Sequence, residues 1–256
     1  MSFLTLTDVD HVYFSEDHAT TAVENISMSI EQGEFVSFLG PSGCGKTTIL
    51  SIIAGLIKPT SGEIKLDGNP DYHEKKEDIG YMLQQDYLFP WKTIKENILL
   101  GLKLQNKNGT GMEEKAVGLL TEMGLRGVED LKPGQLSGGM RQRVALIRTL
   151  ATDPKLLLLD EPFSALDYVT KLKLEDLVFQ TLKQFNKTAI LVTHDIGEAI
   201  AMSDRIYLLA ANPGRLHKVY DIPDELRKMA PFESRNHPQY SSLFQTIWKE
   251  FERSEG

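Results

Sequence analysis

Short apolar runs rich in branched residues alternate along this chain with longer stretches whose apolar positions recur at helical spacing. Alternation of this kind marks parallel strands joined by crossover helices. Five runs, at 34–39, 79–83, 156–160, 188–193 and 205–209, read as strands of an α/β core. All but the last lead into segments rich in polar side chains. Residues 3–6, 22–30 and 62–66 are strand-like stretches separated by polar turns, and are expected to form a small antiparallel sheet beside the core. From about 91 to 151 no strand pattern is present. Ala116, Leu119, Leu120 and Met123 keep helical spacing up to Gly124, so this stretch is expected to be a helical subdomain, with 105–111 (QNKNGTG) as a polar loop inside it. Beyond Asn212 the pattern is irregular until Pro238. There Tyr240, Leu243, Phe244, Ile247, Trp248 and Phe251 fall on one apolar face of a terminal helix, which is expected to pack on its own domain rather than on a partner. The expected organisation is a main unit at 1–215 and an extension at 216–256 that ends in this amphipathic helix.

Composition narrows the classes available. With 256 residues, 41% of them hydrophobic, the chain can bury one large core or two joined lobes. Its longest apolar runs, at 156–159 and 189–192, fall far short of the roughly 20 residues of a spanning helix, so any membrane role is expected to come through a partner. The N-terminal residues show no basic segment followed by an apolar one, which places the chain in the cytoplasm by expectation. A single cysteine, Cys44, excludes an intrachain disulfide. The net charge of −8 and the lack of a basic stripe argue against nucleic acid as a partner.

The segment Gly40-Pro41-Ser42-Gly43-Cys44-Gly45-Lys46-Thr47-Thr48 lies between the strand at 35–39 and a helix expected at 49–54. It fits G-x-x-x-x-G-K-[ST] in the strand–loop–helix setting that this phosphate-binding pattern requires. The glycines let successive N–H groups point inward, and the helix presents its positive end to the same place. Lys46 is suited to the β- and γ-phosphates, Thr47 to Mg²⁺ and Thr48 to the α-phosphate. A plain helix-capping turn would explain neither the lysine nor the paired hydroxyls. Cys44, at a helix start beside a lysine, is expected to have a lowered pKa and to react with a maleimide if solvent reaches it. Further along, the strand at 156–160 ends in Asp160 and Glu161. Ligands of such sheets gather at the carboxyl ends of the strands. Asp160 is placed to hold Mg²⁺, and Glu161 to orient or deprotonate an attacking water.

Residues 136–142, LSGGMRQ, resemble the LSGGQ-type signature of ABC ATPases, and further matches follow in the family's order. Gln84 is similar to the Q-loop glutamine, 164–167 (SALD) to the D-loop with Asp167, and 193–195 (THD) to the segment of the switch histidine, His194. Tyr13 resembles the adenine-stacking aromatic, with Phe14 as the alternative ring. The resemblance covers about residues 4–214. It implies a P-loop NTPase core of mainly parallel sheet with an antiparallel β subdomain and a helical subdomain at about 91–151. It also implies ATP hydrolysis with Mg²⁺ as cofactor. Two such subunits would bind head to tail as an ATP-dependent homodimer, each nucleotide lying between one phosphate loop and the other subunit's Ser137, Gly138 and Gly139. Those three residues precede a helix expected at 140–151, whose start is a second anion cradle. By the same resemblance His194 contacts the γ-phosphate, and Gln84 reaches the metal and the attacking water.

Residues 88–91 (LFPW) are similar to the Leu-Pro-Trp form of the nitrate, sulfonate and taurine importer branch, as are 212–215 (NPGR) and the closing aromatic helix. Thiamine-precursor importers share these features. The branch implies transmembrane permease subunits as partners, contacted through Phe89 and Trp91, an extracytoplasmic solute-binding protein, and a place on the cytoplasmic face of the membrane. The tail is too short for the regulatory domain of maltose-type subunits. An exporter ATPase and a soluble ABC ATPase are the alternatives; the second would be favoured by a coiled-coil insertion or a second cassette, and the sequence has neither.

Overall fold

The structure is a computed structural model that describes residues 2–15, 18–70, 77–107, 109–164 and 166–254. In chain order its strands are β1 (Leu4–Phe14), β2 (Ala19–Ile30), β3 (Phe35–Leu39), β4 (Ser61–Leu66), β5 (Ile79–Met82), β6 (Leu156–Asp160), β7 (Thr188–Thr193), β8 (Arg205–Ala210) and β9 (Arg215–Asp221). The main sheet has the order β5–β6–β7–β3–β8–β9, parallel except for β9. The second sheet, β2–β1–β4, is antiparallel.

The unbroken apolar runs have a simple cause. Side chains alternate across a strand, so Leu157 and Leu159 of β6 enter one core while Leu156 and Leu158 enter another. In β7, Ala189 and Leu191 are divided from Ile190 and Val192 in the same way. The first core is shared with the helical region: α2 (Ile94–Ile98), α3 (Leu100–Leu104), α4 (Thr110–Glu122), a 3₁₀ turn at Pro133–Gln135 and α5 (Gly138–Leu150). The second lies under the antiparallel sheet and α1 (Lys46–Ile53). A third joins β8 and β9 to α7 (Ile196–Met202) and α10 (Pro238–Ser254). Register brings the strand ends level, with Leu39 opposite Thr193 and Asp160 opposite Val192. The segments that follow β3, β6 and β7 therefore leave one edge of the sheet together.

Several elements differ from expectation. Helix α1 begins at Lys46 rather than 49, because Gly45 takes a left-handed conformation (φ 84°) and its carbonyl accepts from Ile49 N at 2.9 Å, closing a first turn that includes Lys46 and both threonines. Helix α5 likewise starts at Gly138. The loop expected at 105–111 gives its last two residues to α4, and its Asn108 lies outside the described residues. The stretch after Asn212 is not irregular. It holds β9, α8 (Asp224–Arg227) and α9 (Pro231–Ser234). β9 is an edge strand with mostly exposed polar side chains, so it carries no apolar run to announce it. The 17-residue helix α6 (Tyr168–Gln184) is the crossover between the parallel strands β6 and β7 that the alternation implies without giving its bounds. The terminal helix packs as expected on its own domain, with Ile247 fully buried and Tyr240, Leu243, Phe244 and Phe251 against the third core. No described helix is long and apolar enough to cross a membrane.

Candidate active site

The phosphate loop is pressed between the two sheets. A Cβ on Gly45 would sit 2.4 Å from Val23 Cγ1 and 2.9 Å from Ala22 O, and one on Gly40 would sit 2.6 Å from Cys44 Sγ and 2.7 Å from Leu209 O. Neither position has room for a side chain. Lys46 is buried, and its ammonium donates to Gly40 O (2.7 Å) and Pro41 O (2.8 Å), so its charge is held inside the loop.

Cys44 corrects the expectation of a reactive thiol. Its side chain points into the core and is inaccessible, and burial raises its pKa although Lys46 nearby pulls the other way. Cys44 does lie at a helix start beside Lys46, but tertiary burial outweighs that setting. We expect a maleimide to leave the native protein unmodified and to label Cys44 fully in denaturant, read by intact mass; rapid native labelling would show that the loop opens.

Asp160 and Glu161 are consecutive but face different partners. Asp160 is buried and accepts long hydrogen bonds from Thr47 Oγ1 (3.5 Å) and Tyr81 Oη (3.4 Å). Burial pushes its carboxyl above the usual range, the Thr47 hydroxyl opposes this, and the neighbouring Glu161 charge adds to it. The Tyr81 hydroxyl is pushed up to about 12, by burial first and then by Asp160. At Glu161 the backbone turns left-handed (φ 44°). Glu161 N donates to Val192 O (3.0 Å), and Glu161 O accepts from the N (3.2 Å) and Oγ (3.0 Å) of Ser164, which pins the turn. The carboxylate then meets Gln84 Nε2 at 3.0 Å and His194 Nδ1 at 3.2 Å. Gln84, Glu161 and His194, expected to act together, are thus in direct contact.

A cleft of about 410 Å³ runs from Tyr13 past Ser42, Gly43 and Lys46–Thr48 to Glu161. Tyr13, 47% exposed, lines its outer end with Oη 3.4 Å from Thr48 Oγ1; Phe14, 77% exposed, does not line it. Asn212 and Pro213 also line the cleft, a role not foreseen. None of the signature residues lines it. Ser137 caps α5, accepting from Met140 N at 3.3 Å, and Gly138 borders a separate cleft of about 350 Å³ with Gln84–Tyr87 and Arg141. Asp167 caps α6, accepting from Thr170 N at 3.0 Å, and Ala165 of the same loop lies outside the described residues.

A sequence model of the family described as "ABC transporter" matches residues 23–164. The chain belongs to the ABC transporter family. Among curated relatives of this ABC protein, the uncharacterized ATP-binding protein YtlC of Bacillus subtilis is 60% identical over 250 residues, 98% of this chain and 96% of that protein. The taurine import ATP-binding protein TauB of Pelagibacter ubique is 43% identical over 202 residues (79% and 76% of the two chains). The aliphatic sulfonates import ATP-binding protein SsuB of B. subtilis is 37% identical over 256 residues (98% and 95%). A dimeric post-hydrolysis structure of the ATP-binding cassette MJ0796 with ADP and Pi matches at a TM-score of 0.76 and 34% identity, covering 86% of this chain and 99% of that one. The fold is the ABC ATPase fold, and the chain binds and hydrolyses ATP.

In this ABC ATPase the segment after Gln84 is tied down from below. Arg148 donates to Asp86 O (2.7 Å) and Tyr87 O (2.8 Å), and Arg141 Nε pairs with Asp86 Oδ2 at 2.9 Å. Asn97, fully buried, accepts from Phe89 N (2.7 Å) and donates to Phe89 O (3.2 Å) and Thr93 O (2.9 Å). Nothing in the sequence pattern singled out Asn97. Held this way, the loop leaves Trp91 67% exposed, its ring 5.3 Å and edge-on from that of the half-buried Phe89.

Proposed function

We propose that this chain is the ATPase of an importer for small sulfonate-type anions, acting as a homodimer on the cytoplasmic face of the membrane. The observation that carries the catalytic reading is the contact of Glu161 with both Gln84 and His194 at the strand ends that also present the phosphate loop. ATP would lie along the first cleft, its base on Tyr13 and its phosphates against Gly40–Thr48, with Lys46 turning from its loop carbonyls to the β- and γ-phosphates. Glu161 orients and deprotonates the attacking water, His194 holds the γ-phosphate, and Gln84 reports its arrival to the loop that ends in Trp91.

The oxygens gathered beside the phosphate cleft are hard donors: the Thr47 hydroxyl, which lines it, the buried Asp160 carboxylate 3.5 Å from that hydroxyl, and the Gln84 amide, joined to the cleft through Glu161. They fit Mg²⁺, which would neutralise charge on the β- and γ-phosphates when bound. The separation of Ser137, Gly138 and Gly139 from the phosphate cleft supports their acting on the nucleotide of a second subunit, with Asp167 at the same contact. The two matched structures of MJ0796 are dimers. Permease subunits at Phe89 and Trp91, and a solute-binding protein beyond the membrane, complete the assembly.

The choice of cargo rests on the names of the relatives, taurine and aliphatic sulfonate import proteins. Uptake of labelled taurine, an alkanesulfonate and a thiamine precursor by cells with and without this chain tests it. Loss of sulfonate uptake is expected; loss confined to the thiamine precursor would move the cargo, and no loss at all would remove the importer reading.

A further inference from the structure

Directly behind His194 lies a cluster of charges that the hydrolysis scheme does not use. Lys171 of α6 places its ammonium 2.7 Å from Asp195 Oδ2 and 2.6 Å from Glu198 Oε1. Asp195 Oδ1 caps α7, accepting from the N–H groups of Gly197 (2.7 Å) and Glu198 (3.1 Å). Glu198 accepts a hydrogen bond from the Thr193 hydroxyl, whose oxygen in turn accepts from Asp195 N at 3.0 Å. The residues on both sides of His194 are therefore fixed by one lysine and two carboxylates.

One helical turn along α6 from Lys171 is Glu175, completely buried, with Oε1 lacking any hydrogen-bond partner among the described residues. Its Oε2 meets Arg235 Nη2 at 2.6 Å. Arg235 belongs to the C-terminal extension, just after α9, and Tyr240 of α10 donates to Gly197 O at 3.2 Å. Three carboxylates thus share two cations, one of them supplied by the tail.

We propose that Lys171 is a positioning residue for His194. Residues four apart on a helix share a face, but Glu175 is held by Arg235 and leaves Lys171 to Asp195 and Glu198. Removing the Lys171 charge would leave Asp195 and Glu198 as close like charges beside the switch histidine. Burial pushes Glu175 up to about 7 even with Arg235 beside it, so without that guanidinium it would take a proton rather than compete for the lysine. Burial would lower the Lys171 pKa, yet its two carboxylate partners raise it to about 12. Lys171 therefore stays charged.

This inference rests on the role given to His194 above, and the test separates the two. In the full-length chain, kcat and KM for ATP, the melting temperature and the NMR signal of the His194 imidazole are compared across variants. Lys171→Met is expected to lower kcat about 10- to 100-fold, as misplacement of a reacting group does. It should leave KM for ATP nearly unchanged and shift the imidazole signal, while Lys171→Arg restores most of the rate. Arg235→Met should leave kcat within a few-fold, because Glu175 then takes a proton and Lys171 keeps its two carboxylates. If Lys171→Met does not fold, Lys171→Gln, which keeps a hydrogen-bond donor but not the charge, decides: an unchanged kcat overturns the proposal. A fall in kcat with an unmoved imidazole signal also overturns it, because the effect would then be general loosening. Normal turnover in His194→Ala would sink both the role of His194 and its positioning. Lost turnover there with normal Lys171→Met would sink the positioning alone.

Discussion

Glu161→Gln is expected to bind ATP and almost stop hydrolysing it. Glutamine keeps the size of the side chain and the left-handed turn held by Val192 and Ser164. It also keeps an oxygen for Gln84 Nε2, 3.0 Å away in the native site. What it lacks is a carboxylate able to take a proton, and general-base help of this kind is worth about 10² to 10⁴ in rate. With hydrolysis blocked, the nucleotide-bound dimer should accumulate. Phosphate release gives the rate, and size-exclusion chromatography with ATP and magnesium gives the assembly. Near-normal turnover would remove Glu161 from the base role, whereas a persistent monomer would count against a site shared between subunits.

The second large effect is expected at the opposite end of the Gln84 loop. Replacing Phe89 and Trp91 together by Asp should abolish transport while leaving ATP hydrolysis by the isolated chain largely intact. Trp91 makes an edge-on contact with Phe89 and otherwise faces solvent, so it is available to a membrane partner. A carboxylate forced into an apolar contact without a partner carries a large desolvation cost. The backbone of the loop should not move, because Asn97, Arg148 and Arg141 hold its main-chain atoms and Asp86 rather than its aromatic rings. Because Phe89 is half-buried, Trp91→Asp alone separates the readings. If transport survives in that variant, the ring is not at the interface; a steep fall in melting temperature in the double variant would show that Phe89 is a core side chain.

What could be read in the sequence follows from where each element finds its partners. β6 and β7 stood out because each feeds two cores at once and so carries an unbroken apolar run, Leu156–Leu159 and Ala189–Val192. The phosphate loop stood out because its spacing is fixed by local geometry. β9 did not, since an edge strand with exposed side chains carries no periodic signal. Cys44 departs from expectation for the same underlying reason. The helix start and Lys46 are local and legible, whereas the burial that raises the thiol's pKa comes from tertiary packing of the loop, with Leu209 carbonyl closing over Gly40. Lys171 lies 24 residues before Asp195 and meets it and Glu198 only because α6 and α7 pack together. Asn97 resembles any other polar residue of a short helix until its bonds to Phe89 and Thr93 are seen.

Given the base role proposed for Glu161, its left-handed backbone sets heat resistance against turnover. A glutamate at φ 44° carries a strain of about 1 kcal/mol that glycine would not feel. Glycine at this position would also relieve the repulsion that Glu161 imposes on buried Asp160. Backbone strain and the proposed base role thus pull on this residue in opposite directions. A laboratory screen for thermostable variants that does not also demand phosphate release would enrich inert proteins, and improvements to the scaffold should be sought away from the carboxyl edge of the sheet.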